Sequence, residues 1–262
     1  PTPSPSVLRQ PTLLFQLLET KKHLWLGNAL TSVGGPKGIA NDIGVPSNVL
    51  VDAGGAGPIT LAQTAALPDT DAGANALSDI TGIRIDGTLS MDTLAFSGLV
   101  DAVGGIFTDV DVEVTEVGPD GTTIVVLPAG KGQTLQGPKA AAYATFRAPG
   151  EPEEARMARF DHVFRLVLAQ LPRDESKMAE IITSLGASSH SSIPAPLLAG
   201  YLVRLHDAVV GEQIVYRNLP VLPVDTSGEG IYRVDVLATS QMARNLFPEA
   251  LRIPGPNSKV RA

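Results

Sequence analysis

Strand-like apolar runs at both ends of the chain, with helical periodicity between them, leave few folds open. Near the start, "PTLLFQLLETKKHLWLGNALTSVGG" (11–35) holds two apolar runs around the polar "ETKKH", which predicts a hairpin or two neighbouring strands, with Trp25 in the core. "GIANDIGVPSNVLVD" predicts a strand that ends near Pro46, then a loop and a second short strand. Near the finish, "EQIVYRNLPV" and "GIYRVDVLA" read as strands and "TSQMARNLF" as a helix. Between these ends, helical spacing runs over 137–146, 151–171, 174–185 and 194–209. Strands that enclose helices in this way predict one interwoven α/β sheet, not a β domain followed by an α domain.

The region before the long helices carries finer signals. "ITLAQTAALPDTDAGANALSDITGI" holds two helix candidates, the second capped by Asp69 or Thr70 and closed by Gly82. "MDTLAFSGLVDAVGG" predicts a helix with Asp92 as N-cap, Leu94, Ala95, Leu99, Val100 and Val103 at helical spacing, and Gly104-Gly105 as its stop. Strict alternation from Asp109 to Thr115 predicts a strand paired with "TTIVVLP" across "GPDG", a hairpin over 109–128. Asp109, Asp111 and Glu113 share one face of that strand and read as solvated. "ASSHSSIP" reads as a loop around His190, and the glycine runs "VGGPKGIAN" and "DAGGAGPIT" read as turns, since neither has the spacing of a phosphate or dinucleotide loop.

Composition sets outer limits. A 44% hydrophobic share in 262 residues supports a full core. A net charge of −7 and a pI near 5.1 supply no general positive field, which argues against a nucleic-acid partner. Any anion site must therefore be local. Cysteine is absent, so disulfides and thiolate metal sites are excluded. No run approaches the roughly 18 apolar residues of a membrane span. The opening "PTPSPS" reads as a trimmed or mature ectodomain whose upstream signal or anchor has been removed. Residues 1–11 and 251–262 are expected to be flexible ends around a domain over 12–250.

The local anion site is suggested by "YATFRAPGEPEEARMARF", which gathers Arg147, Arg156 and Arg159. Pro152 suits the first turn of a helix, and Glu151, Glu153 and Glu154 complement its positive end. Phe160, Val163, Phe164, Val167, Leu168 and Leu171 form the buried stripe. Arg156 falls inside that stripe and Arg159 at its edge, while His162 and Arg165 point away. Buried guanidinium groups need partners: either a bound phosphate, or acids such as Glu153 and Asp161.

"DTLAFSGLVDAVGGIFTDVDVEV", "LPAGKGQTLQGPKAAAYATFR" and "EEARMARFDHVFRLVLAQL", in that order, together with "TGIRIDG" just upstream, resemble the LytR-CpsA-Psr family. The alanine- and glycine-rich style is that of actinobacterial members. The resemblance implies a single-domain α/β/α sandwich with a central mixed sheet, at the extracytoplasmic face of a bacterial membrane and anchored by a segment absent from this chain. It implies binding of a polyprenyl phosphate or pyrophosphate in a long apolar tunnel, with Arg147, Arg156 and Arg159 on the phosphates. It also implies transfer of a lipid-linked glycopolymer to peptidoglycan or protein, with magnesium at the pyrophosphate. The chain departs from the active pattern. A Pro-Arg-Asp motif reads Pro46-Ser47-Asn48, an upstream aspartate matches Asn28, and Thr145 stands where another arginine is expected. Asp42 and Asp52 are the nearby carboxylates that could stand in. A non-catalytic binder, or a helper of an active family member, is therefore expected; the alternatives are an active phosphotransferase with an unusual magnesium site and a structural domain without ligand.

Overall fold

The computed structural model describes residues 10–53, 57–224 and 230–252. Strands β1 (Thr12–Glu19) and β2 (Leu24–Ser32) form the predicted antiparallel hairpin, with a register shift between Leu17 and Leu18. β3 (Ala40–Gly44) runs antiparallel to β2 and ends just before Pro46. The chain then makes the ribbon of β4 (Leu50–Asp52) and β5 (Pro58–Thr60), a 3-10 segment over Leu61–Ala66, and helix α1 (Ala72–Thr81). Asp71, not Asp69 or Thr70, is the residue at the N-cap of α1, because Asp69 instead accepts the Asp71 amide within the turn. Gly82 closes the helix in the left-handed conformation, as predicted.

β6 (Gly87–Asp92) pairs parallel with β1 and leads into α2 (Thr93–Ala102). Asp92 Oδ1 accepts the Ala95 amide at 2.8 Å, so Asp92→Ala is expected to lower stability by about 1 kcal/mol in a denaturation experiment. Leu94, counted with the apolar stripe of α2 in the sequence, is 72% exposed. The predicted hairpin forms over 114–127, across the predicted turn, while Asp109 and Val110 belong to a separate pairing. β7 (Ile106–Val110) pairs with β10 (Gly130–Leu135), and β8 (Val114–Val117) with β9 (Thr123–Leu127). The alternation is interrupted at residues 111–113, where Asp111 accepts the Tyr143 hydroxyl at 2.8 Å and leaves the ladder.

Helices α3 (Gly137–Thr145), α4 (Glu153–Leu168) and α5 (Glu175–Ser184) follow. His190 lies in a short strand, β11 (Ser189–Ser191), that extends the sheet beside β6 in place of the predicted loop. α6 (Ala195–Val210) returns the chain to β12 (Ile214–Asn218), which pairs parallel with β3. The ribbon of β13 (Val221–Pro223) and β14 (Tyr232–Val234) and helix α7 (Val236–Leu246) complete the described fold.

The central sheet has the order β11-β6-β1-β2-β3-β12 and is mixed. Alternation along β1 sends Leu13, Phe15 and Leu17 into one core with α2 to α6, and Leu14 into a second core with α1 and α7. The result is the three-layer α/β/α arrangement. The described residues extend past both predicted boundaries. Gln10 is buried, with its amide donating to Leu246 O at 2.6 Å, and the Arg252 amide donates to Gly82 O at 2.9 Å. The rest of the two predicted flexible ends, residues 1–9 and 253–262, and part of the second glycine run lie outside the described residues.

Candidate functional site

β1, β3, β6 and β12 run in one direction, and a cleft of about 680 Å³ opens beyond the carboxyl ends of β1 and β3. Open α/β sheets bind ligands at this kind of place. Ser47, Asn48, Thr145, Arg147 and Arg156 line the cleft, joined by Lys21 and Lys22 from the β1–β2 turn and by Glu19 and Glu116. The sequence reading missed the two lysines, because residues in a polar turn carry no periodicity to orient them.

Of the three arginines, the fold brings two to the cleft. Arg147, almost half exposed, donates from Nε to Glu151 O at 2.8 Å and has Nη1 4.0 Å from Glu153 Oε2. Arg156 is buried. Its Nε donates to Glu153 Oε2 at 3.1 Å, Nη2 pairs with Glu153 Oε1, and Nη1 donates to Leu26 O. Arg159 lies outside the cleft lining, donating to Glu151 Oε1 and Phe146 O, each at 2.8 Å, with Asp111 Oδ2 3.7 Å away. Those Arg159 hydrogen bonds hold the Glu151 carboxyl below the usual range. Both alternatives for the guanidinium partners stay relevant: each buried arginine has a carboxylate, but Arg156 also faces the cleft.

The degenerate positions meet in space. Gln16 Nε2 donates to Asn28 Oδ1 at 3.1 Å, Asn28 Nδ2 to Ser47 Oγ at 2.9 Å, and Ser47 Oγ to Leu26 O at 2.9 Å. Leu26 O is also the carbonyl that receives Arg156, so a neutral chain of amides and hydroxyl leads to the guanidinium. Asn48 Nδ2 donates to Gly230 O, while its buried Oδ1 has no partner among the described residues. These residues do not fit a divalent cation, which needs several anionic or carbonyl oxygens converging on one point. Asn28 and Ser47 are already committed to each other, and Glu153 to Arg156. Asp52 is exposed on β4, and Asp42 points to the other face of the sheet, so neither supplies the missing carboxylate. Among the described residues, no three His, Asp or Glu side chains are grouped to hold a metal.

Four phenylalanine rings pack together in the core on one face of the sheet. Phe15, Phe96, Phe160 and Phe164 are all buried. Phe160 stacks on Phe164 with centroids 5.7 Å apart, Phe15 lies 4.8 Å from Phe164, and Phe96 lies 6.3 Å from Phe160. The void left between the sheet, α2, α4 and α5 is about 10 Å³. Gly27 makes this packing possible, since a Cβ there would stand 2.4 Å from a Phe160 ring carbon. The sequence marked Phe160 as core, but not as the residue closest to β2.

Arg165 and His162 do not simply point to solvent. His162 Nε2 is 2.7 Å from Thr108 Oγ1, and the Arg165 guanidinium stacks 3.7 Å over the Tyr216 ring with Nε 3.7 Å from Asp42 Oδ2. No helix among the described residues is long and apolar enough to cross a membrane.

Comparison with known proteins agrees with this architecture. TagV from B. subtilis has a TM-score of 0.72 at 17% identity, covering 95% of this chain and 100% of its own. The LytR-Csp2A-Psr enzyme from Actinomyces oris gives 0.70 at 20% identity, with 95% and 94% covered. A structure of TagT bound to LI-WTA gives 0.69 at 15% identity, with 92% and 91% covered. At these identities the likeness is one of fold. No curated protein matches the chain significantly. The family model described as LytR_cpsA_psr matches residues 66–247, well over half of the sequence, and the chain belongs to the LytR-CpsA-Psr family.

Proposed function

We propose that this chain is a non-catalytic member of its family that works at the bacterial cell envelope and holds the phosphate-bearing head of a lipid-linked glycopolymer in the cleft. The observation that carries the reading is the neutral Asn28–Ser47 hydrogen bond, which occupies the place where the resemblance implies an aspartate and an arginine. Phosphoryl transfer depends on stabilising charge as it develops, and an amide bonded to a hydroxyl supplies no charge for that. Arg147 offers an exposed guanidinium for a phosphate oxygen, with Arg156 deeper and Lys21 and Lys22 at the mouth. The TagT structure with LI-WTA supports this class of ligand for the fold. The ring column supports a head-only mode, in which the apolar tail stays outside the core.

The test is binding of a short polyprenyl phosphate and its pyrophosphate, with and without magnesium, alongside an assay of transfer from a lipid-linked oligosaccharide. Magnesium-independent binding without turnover is expected. Arg147→Ala, a half-exposed site that leaves the core intact, should weaken binding about tenfold, or ~1.4 kcal/mol. Turnover, or binding that requires magnesium, would restore the reading as an active phosphotransferase. Absence of binding would favour a structural or interaction domain, a second reading supported by the carboxylate already paired with each buried arginine.

A further inference from the structure

On the face of the sheet away from Asn28, two carboxyl groups are buried with too few donors. Asp42 on β3 is 1% exposed and Asp161 on α4 is 6% exposed. Among the described residues, both oxygens of Asp42 and Oδ1 of Asp161 lack a hydrogen-bond partner. Arg165, one turn beyond Asp161, is the cation that acts on both. Its Nε is 3.7 Å from Asp42 Oδ2, beyond hydrogen-bond reach, and its side chain is 37% exposed. β12 contributes Tyr216, which lies beneath Arg165. α6 contributes Tyr201, whose hydroxyl is 2.7 Å from Thr31 Oγ1, and the more distant Arg204. One partly solvated guanidinium does not balance two buried carboxylates, three of whose four oxygens have no hydrogen-bond partner among the described residues.

We propose that Asp42 and Asp161 hold one proton for the pair, and that this proton clamps α4 and the edge strand β12 onto β3 and is given up as the medium turns alkaline. The packing gives the proton structural leverage. A Cβ at Gly44 would stand 2.6 Å from Asp161 Oδ2 and 3.0 Å from Asn218 Oδ1, so the Asp161 carboxyl is wedged between the backbone of β3 and the end of β12. Ionised, it has no room to turn away within the interface. The glycine is needed here for space, and any side chain would displace the carboxyl.

Burial pushes Asp42 up to about 6 against the pull of Arg165, and burial together with the charge on Asp42 pushes Asp161 up to about 8. A carboxyl raised in the folded state binds its proton more tightly there than in the unfolded chain. Its contribution is therefore complete below the unfolded value of 3.8 and is lost as pH rises toward the folded values. Between pH 6 and 8 the loss comes mainly from Asp161.

The test is thermal unfolding of the whole chain at pH 6, 7 and 8, for the unmodified protein, Asp161→Asn and Asp42→Asn. The unmodified protein should lose about 5 °C in Tm from pH 6 to 8, while Asp161→Asn should stay level and exceed it at pH 8. Carboxyl carbon NMR should show one buried aspartate protonated at pH 7 in the unmodified protein, a readout that does not depend on either variant folding. Parallel falls in Tm, or every buried carboxyl titrating near 4, would overturn the proposal. So would calcium or magnesium raising Tm at pH 8 in the unmodified protein but not in Asp161→Asn, since the pair would then hold a cation and not a proton.

Discussion

Glu153→Ala is expected to lower folding stability by about 3–5 kcal/mol, because it strands a buried cation. Arg156 is 4% exposed, and two of its three nitrogens bond to Glu153. Among the described residues, only the Leu26 carbonyl remains once the carboxylate is gone. Removing both charges together, as in Glu153→Leu/Arg156→Met, should recover most of the loss, since a well-packed apolar pair of similar volume replaces a buried ion pair at little cost. Urea denaturation of the two single variants and the double variant gives the coupling directly. Near-additive effects would mean that Arg156 does not depend on Glu153, and that the cleft holds a free guanidinium after all.

Phe160→Ala should cost a similar amount, about 3–5 kcal/mol, by opening a cavity at the centre of the ring column. The void would be walled by the Phe96 and Phe164 rings and the Cα of Gly27, so it should stay dry and accept benzene or another small hydrocarbon. Stabilisation of this variant, and not of the unmodified protein, by such a probe would show that the rings fill space a ligand could otherwise use. The reciprocal change tests the same contact. Gly27→Ala drives a methyl group into the Phe160 ring and should cost at least about 1–3 kcal/mol, and Phe160→Leu on that background should relieve part of it. If Gly27→Ala were neutral, the ring would be free to move and the column would not be rigid.

The sequence reveals some of these features and hides others for identifiable reasons. The β1–β2 hairpin is legible because two apolar runs flank a single polar turn, so strand, turn and partner are local. The 109–128 region has equally clear alternation, yet only its 114–127 part pairs as the turn suggests. Ile106–Val110 pairs with Gly130–Leu135, and no local pattern announces that Asp111 will leave the ladder for Tyr143. The arginine helix is legible in its period, and Glu153 was one of the partners its spacing allowed. The helical wheel turns Arg165 away from the buried stripe but does not include Tyr216 and Asp42, which come from strands far away in sequence. Asn28 and Ser47 could be suspected only through resemblance; that one hydrogen-bonds to the other is a fact of tertiary structure. Phe160 declares itself as core, but whether a core position fills a space or lines one depends on what faces it.

The Asn28–Ser47 network also bears on the conditions under which the cleft keeps its shape. Amides and hydroxyls carry no net charge and do not titrate in the ordinary range, so neither acid nor added salt should loosen the bonds among Gln16, Asn28, Ser47 and the Leu26 carbonyl. A clamp made of aspartate and arginine would feel both. These neutral bonds are thus indifferent to the ionic medium, while the carboxyl pair on the opposite face of the same sheet responds to it.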